Sequence, residues 1–141
     1  MVKKLSLTSI ILFTIAVAAL AASIPDLQEG LWEITTKMEM PGMPKNMPPI
    51  KHTQCLTKKD LVPQSPQKGQ ECKISQTKVD GSIVTWTMQC NNAEGTTEGH
   101  GKIAYKGNTF AGVITMTMKI PNQQNMQMTS LLNGRRIGAC K

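Results

Sequence analysis

The chain has 141 residues, and its 16 Lys and Arg against 9 Asp and Glu give a formal net charge of +7. This length favours one domain, and a charged fraction of 18% excludes a coiled coil or a charge-rich disordered chain. Aromatic residues make up only 4% of the chain, and its basic residues form no run longer than a pair. We therefore expect no binding of nucleic acid.

The first 21 residues have the pattern of a secretory signal peptide. Two lysines precede an uncharged stretch at 5–20, and small residues follow it. That stretch is shorter than the ~20 residues that a membrane-spanning helix needs. We predict export to a periplasm or the extracellular space, with cleavage after Ala21 or as late as residue 23. The mature chain, 22–141, is predicted to be one β domain without a transmembrane segment.

Residues 31–40 alternate between apolar and polar side chains, which predicts a half-buried strand. Its apolar face carries Trp32, Ile34, Met38 and Met40. The segment 41–49 is predicted to be a loop, because its prolines interrupt the hydrogen bonding of a sheet. We expect a second strand over 51–56 and a short helical turn over 57–61.

Residues 73–89 consist of two alternating segments around Asp80-Gly81, which predicts a β-hairpin. We expect a three-residue loop that ends in a left-handed Gly81. This register sets Ile74 directly across from Trp86, so that both side chains face the core.

A second hairpin is predicted around Gly107-Asn108, between strands at 97–106 and 109–120, and a last strand at 126–137. The predicted fold class is therefore all-β, a single antiparallel meander of about seven to eight strands with one short helical turn. Because tight turns join consecutive strands, we expect the sheet to close into a small barrel.

All four cysteines, Cys55, Cys72, Cys90 and Cys140, lie in the predicted mature chain. An even number of cysteines in a small exported protein predicts two disulfides. We favour Cys55–Cys72 with Cys90–Cys140, because the first loop is then short. The pairing of Cys72–Cys90 with Cys55–Cys140 is the alternative, because a plain meander places Cys90 and Cys140 at opposite ends of the sheet.

Gly30-Leu31-Trp32, at the start of the first strand, resembles the G-x-W entry of lipocalin-type barrels. In those barrels the Trp packs beneath a basic residue near the C-terminus, a place that the resemblance gives to Arg135 or Arg136. The resemblance implies a barrel, and alternation alone already predicts Trp32 and Trp86 as core residues.

Three further motifs occur in order along the mature chain. They are Gly30-Leu31-Trp32-Glu33-Ile34-Thr35, Cys55-Leu56-Thr57 and Arg136-Ile137-Gly138-Ala139-Cys140, with the Cys72…Cys90 segment between the second and third. This set resembles a bacterial exported family, domain of unknown function family 3617. The resemblance implies a small exported bacterial protein and brings no activity with it.

Residues suited to catalysis are scarce in the mature chain. It has no Gly-x-Ser-x-Gly nucleophile elbow, and His100 lies between two glycines without an evident partner. We predict a protein that is not an enzyme and has no cofactor.

The number and positions of the methionines suggest two alternative functions. A barrel interior filled by Met, Ile, Val and Leu predicts a binding or envelope-structural protein for an apolar small molecule or a protein partner, with the Met-rich loop 38–52 as a lid. The alternative is a periplasmic Cu(I)-binding protein, because thioether sulfurs are soft ligands that need no deprotonation. No metal ligand is assigned, but the candidates are Met38, Met40, Met43, Met47 and His52. Methionines on strands also serve as core packing.

Overall fold

The computed structural model describes residues 24–44, 47–64, 69 and 71–141. The predicted signal peptide and its cleavage sites lie outside the described residues. The described chain forms one antiparallel sheet, which confirms the all-β prediction. Its strands are β1 (Gly30–Glu39), β2 (Ile50–Leu56), β3 (Glu71–Asp80), β4 (Ile83–Asn92), β5 (Gly95–Lys106), β6 (Thr109–Lys119) and β7 (Met126–Gly138). Within these ranges no helix is long and apolar enough to cross a membrane.

The strand order is β2-β1-β7-β6-β5-β4-β3. Each strand pairs with its neighbour in sequence except β2 with β3, and the first strand pairs with the last. A closed seven-stranded meander needs one more pair, β2 with β3, so the predicted barrel is wrong and the sheet is open at this seam. The two edge strands are joined by fourteen residues instead of a tight turn. Val62 and Pro63 of that connection are buried.

The segment 57–61 is a tight turn and not the predicted helical turn. Thr57 and Asp60 form an isolated bridge, and the backbone N–H of Asp60 donates to the carbonyl of Thr57 at 3.0 Å. Continuation as a helix is disfavoured because Val62 precedes Pro63, and a residue before proline avoids the helical region. The chain instead turns inwards, where the carbonyl of Leu61 accepts a hydrogen bond of 2.7 Å from the hydroxyl of Tyr105.

The aromatic rings show that the sheet is strongly curled. Trp32 on β1 and Tyr105 on β5 are three strand spacings apart, which is about 14 Å in a flat sheet. Their ring centroids are 6.3 Å apart, and Phe110 lies 5.5 Å from each ring. The apolar face is therefore concave. Trp32 and Trp86, the two predicted core residues, are 0% and 2% exposed on it.

Glycines on the concave face leave room for the large side chains. Gly101 lies directly opposite Trp86, and a Cβ atom there would overlap the indole ring. Gly134 has the same relation to Phe110 on the neighbouring strand. Since each glycine lies beneath a large cross-strand neighbour, the sheet can curl around its aromatic residues without overpacking.

The disulfides are Cys55–Cys140 and Cys72–Cys90. The favoured pairing is wrong, and the alternative pairing is observed. Cys72 and Cys90 are direct partners on β3 and β4, with Cα atoms 4.0 Å apart. Cys55 lies on β2 and Cys140 follows β7, and both strands flank β1, so their Cα atoms are 5.5 Å apart. A Cys55–Cys72 bond would have to join the two opposite edges of the sheet.

The β3–β4 hairpin differs from its predicted register. Asp80 pairs with Ile83, so the turn has two residues, although Gly81 is left-handed (φ 55°) as predicted. Ile74 pairs with Met88 and not with Trp86. A bulge between Ser75 and Lys78, and not a longer turn, returns Ile74 to the concave face.

Replacement of Gly101 by Ala tests the packing of Trp86. We expect Gly101→Ala to lower the free energy of unfolding by about 1–3 kcal/mol, because the added methyl group displaces a buried indole. Urea unfolding of the oxidised protein measures this loss. Gly138→Ala is the control, because a Cβ there has no atom within 4 Å, and it should change stability by less than about 0.5 kcal/mol. Equal effects of the two substitutions would contradict the packing.

Tyr105, the only tyrosine of the chain, makes stability depend on alkaline pH. Burial raises the pKa of its hydroxyl above the ordinary value of 10.0. As the pH rises past 10, the unfolded chain therefore loses this proton first, and the folded state loses stability relative to it. We expect wild type to lose about 1.4 kcal/mol more than Tyr105→Phe between pH 8 and pH 11 in urea unfolding.

The Tyr105→Phe variant itself should be about 1–3 kcal/mol less stable at pH 8, because the partly buried carbonyl of Leu61 loses its donor. The ultraviolet absorbance of the phenolate reports the same group directly. Ionisation of the folded protein near pH 10 would show that the hydroxyl is accessible to solvent and would contradict the buried bond.

Candidate functional site

Methionines line the part of the concave face that lies away from the aromatic rings. This methionine surface consists of Met38, Met88, Met116, Met118, Met126 and Met128. None of them is buried: Met126 is 51% exposed and the other five are half-buried. The aromatic end of the same face is filled by almost fully buried side chains, so the two ends of the face differ in access to solvent.

The register of the sheet brings these methionines together. Met116 lies opposite Met128, and Met118 lies opposite Met126. Gly99 pairs with Met88 on one side and with Met116 on the other. Four neighbouring strands thus carry a row from Met88 to Met128, about 14 Å across three strand spacings.

Gly99 is the centre of this row, and sequence patterns alone did not identify it. A Cβ atom at Gly99 would lie 2.8 Å from Cγ of Met88 and 3.1 Å from Cγ of Met116, and 3.2 Å from the sulfur of Met88. The two methionine side chains therefore meet above a strand position that has no side chain. The available signal was the spacing of Gly99 and Gly101, which places both on one face of a strand.

The loop after β1 adds a pocket at the edge of the methionine surface. The pocket has a volume of about 360 Å³, and its lining includes Met38, Met40, Met43 and Thr129. The N–H of Met43 donates to the carbonyl of Met40 at 3.2 Å, and a left-handed Gly42 (φ 82°) allows this tight turn. Three of the five predicted soft-metal ligands are thus neighbours.

The other two candidates, Met47 and His52, do not belong to the lining of this pocket. His52 lies on β2 opposite Ile34, and its Nε2 atom is buried without a hydrogen-bond partner among the described residues. The described ranges also contain no group of three His, Cys, Asp or Glu residues that could hold a metal ion. Three methionines and the acidic residue Glu39 line the pocket, and thioether sulfurs suit soft ions.

Trp32 and its basic neighbour hold the residues just before β1 against the first and last strands. The indole N–H of Trp32 donates to the carbonyl of Gln28 at 3.1 Å. Arg136 lies opposite Trp32 in the sheet, and its Nε donates to the carbonyl of Glu29 at 2.8 Å. A Cβ at Gly30 would overlap the carbonyl of Gly138, which explains why β1 begins with glycine.

Arg135, the other arginine expected near Trp32, instead pairs with Glu33. Its Nε donates to the Glu33 carboxylate at 2.9 Å, and this hydrogen bond lowers the pKa of Glu33. The position opposite Trp32 is therefore taken by Arg136 alone. Both arginines fasten β7 to β1 or to the residues just before it.

These features define a class of protein: a curled, unclosed seven-stranded β-sheet with two disulfides and a methionine-lined concave surface. The family model "Protein of unknown function (DUF3617)" matches residues 27–140, and the chain belongs to this family. The match covers all seven strands and all four cysteines, and it confirms the predicted family. No curated protein and no solved structure matches the chain.

Proposed function

We propose that this protein is an exported, non-enzymatic binding protein that holds an apolar small molecule on its methionine surface. The observation that carries the proposal is the set of six accessible methionines on one concave face. Methionine is flexible and polarisable, and surfaces rich in it repack around ligands of different shape. Monomeric proteins rarely expose contiguous apolar surface, and where they do, the surface commonly binds a ligand or a partner.

The structure favours the methionine end of the concave face over its aromatic end. Trp32, Tyr105 and Phe110 contact one another there and are at most 4% exposed, so they leave no room for a ligand. At the other end, the side chains of Met88 and Met116 meet over Gly99 and stay partly accessible to solvent, in a row about 14 Å long. A linear apolar molecule lying across the strands would contact the thioethers of this row.

The disulfides support the exported location. The described residues contain no free cysteine, since all four form disulfides. Such bonds persist in oxidising compartments and are rare where thiols are kept reduced. Together with the signal-peptide pattern of residues 1–21, they support a periplasmic or extracellular site of action.

The first test is the binding of N-phenylnaphthylamine, an apolar dye, to the oxidised protein. We expect saturable binding with an increase in fluorescence. Met116→Gln with Met128→Gln should weaken it at least about tenfold, because polar amides replace two directly paired thioethers of the row. Fluorescence titration measures both affinities.

Leu131→Gln is the matched control, since Leu131 lies on the same strand but on the opposite face, opposite Val113. It should leave the affinity for the dye unchanged. Absence of saturable binding by wild type, or an equal loss in the control, would overturn the proposal.

A second candidate function is binding of Cu(I), which is favoured by the pocket beside Met38, Met40 and Met43. Three thioethers around one ion match the ligand preference of Cu(I). This site overlaps the methionine surface only at Met38. The two functions also depend on different chemical properties: binding of Cu(I) needs the sulfur atoms, and binding of an apolar molecule needs the apolar area.

Substitution by leucine separates these properties, because leucine keeps the apolar side chain and removes the sulfur. We expect Met38→Leu, Met40→Leu and Met43→Leu together to lower Cu(I) affinity at least about tenfold in competition with bicinchoninate. The matched control replaces Met116, Met118 and Met128 by leucine. Failure of wild type to retain Cu(I), or equal losses in both triple variants, would refute the copper function and leave the apolar one untouched.

A further inference from the structure

The convex face of the sheet carries a second pocket, separate from the methionine surface. It has a volume of about 340 Å³ and lies over strands β3, β4 and β5. Side chains alternate along a strand, so residues next to Trp86 and Gly101 point away from the concave core. The polar side chains that line the pocket are Gln76, Lys78, Thr85, Thr87, His100 and Lys102.

Strand register places two lysines on either side of one threonine. Lys78 pairs with Thr85, and Thr85 pairs with Lys102 on the next strand. Two strand spacings separate the lysine backbones, about 10 Å, so both ammonium groups can reach a ligand above Thr85. In the adjacent row Thr87 pairs with His100.

The charge of this pocket is uncompensated in the described part of the chain. No Asp or Glu lines it, and neither Lys78 nor Lys102 has an ion pair there. Glu98, two residues before His100 on the same face, is engaged by Lys119 at 2.7 Å. Asp80, two residues after Lys78, lies outside the lining and forms no ion pair with the described residues.

Strand β3 has a bulge beside Lys78, and one residue of this bulge, Gln76, lines the pocket. Two residues of β3, Gln76 and Thr77, lie opposite the single residue Trp86 of β4. Gln76 is left-handed (φ 52°), a conformation that is unfavourable by about 1–2 kcal/mol for a residue with a Cβ. Bulges of this kind direct side chains towards sites, and such strain at a polar residue points to a function.

We propose that this pocket binds the phosphate group of a small molecule or of a lipid headgroup. Lysine ammonium groups are strong point-charge donors to phosphate oxygens, and an anion relieves the repulsion between Lys78 and Lys102. Hydroxyl and amide groups of Thr85 and Gln76 are placed to donate to further oxygens. This site is independent of the apolar one, because it lies on the opposite face of the sheet.

The test uses inorganic phosphate added to the ¹⁵N-labelled, oxidised protein and monitored by amide chemical shifts. We expect saturable shifts confined to the rows of Thr85 and Thr87, and no such shifts with sodium chloride at equal ionic strength. Lys78→Gln with Lys102→Gln should weaken binding at least about tenfold. Lys106→Gln, on the same face of β5, removes one positive charge outside the pocket and should change binding less than about twofold.

Sedimentation with vesicles distinguishes the two sources of phosphate. Vesicles contain equal parts of phosphatidylglycerol and phosphatidylcholine, with pure phosphatidylcholine as reference. Loss of sedimentation in the double variant but not in Lys106→Gln assigns the site to a lipid headgroup. Phosphate binding with equal sedimentation of both variants assigns it to a soluble phosphorylated compound. Shifts that are absent, that are reproduced by chloride, or that Lys106→Gln abolishes equally would overturn the site.

Discussion

Pairing of the first strand with the last is the contact on which the rest of this structure depends. It joins segments about one hundred residues apart, which is entropically unfavourable until other contacts form. Three bonds fasten it: Arg135 to Glu33, Arg136 to the carbonyl of Glu29, and the Cys55–Cys140 disulfide. Closing an 85-residue loop in the unfolded chain is worth about 4.5 kcal/mol in the chain-entropy model, so this disulfide offsets much of the loss.

The pairing of β1 with β7 also explains why the methionine end of the concave face is accessible to solvent. Once β1 lies beside β7, β2 and β3 become the two edges of a curled sheet. Their connection cannot act as a tight turn, and part of it is buried: Val62 enters the core and Leu61 receives the hydroxyl of Tyr105. The aromatic end is thereby covered, whereas the methionines beyond it stay half-buried or exposed. An open seam and an accessible apolar surface are two consequences of one topology.

Local alternation predicted most strand positions and the faces of Trp32 and Met38, and the even number of cysteines predicted two disulfides. Alternation did not predict which strands become edges, since that depends on pairing between distant segments. The barrel and the favoured Cys55–Cys72 bond were wrong for this one reason: both required β2 and β3 to be neighbours. The packing roles of Gly99 and Gly101 could not be predicted either. Glycine normally weakens a strand, and its role here is evident only once Met88 and Trp86 are known to lie opposite.

The bulge in β3 connects the two faces of the sheet. From Val79 opposite Val84, an unbroken ladder would bring Cys72 beside Asn91 and turn Ile74 towards the convex face. The extra residue shifts the register by one, so Cys72 meets Cys90 and Ile74 meets Met88, while Lys78 stays on the convex face. The disulfide then holds the shifted register, and with it the left-handed Gln76. One irregularity thus completes the apolar face and positions the lysine pair on the other.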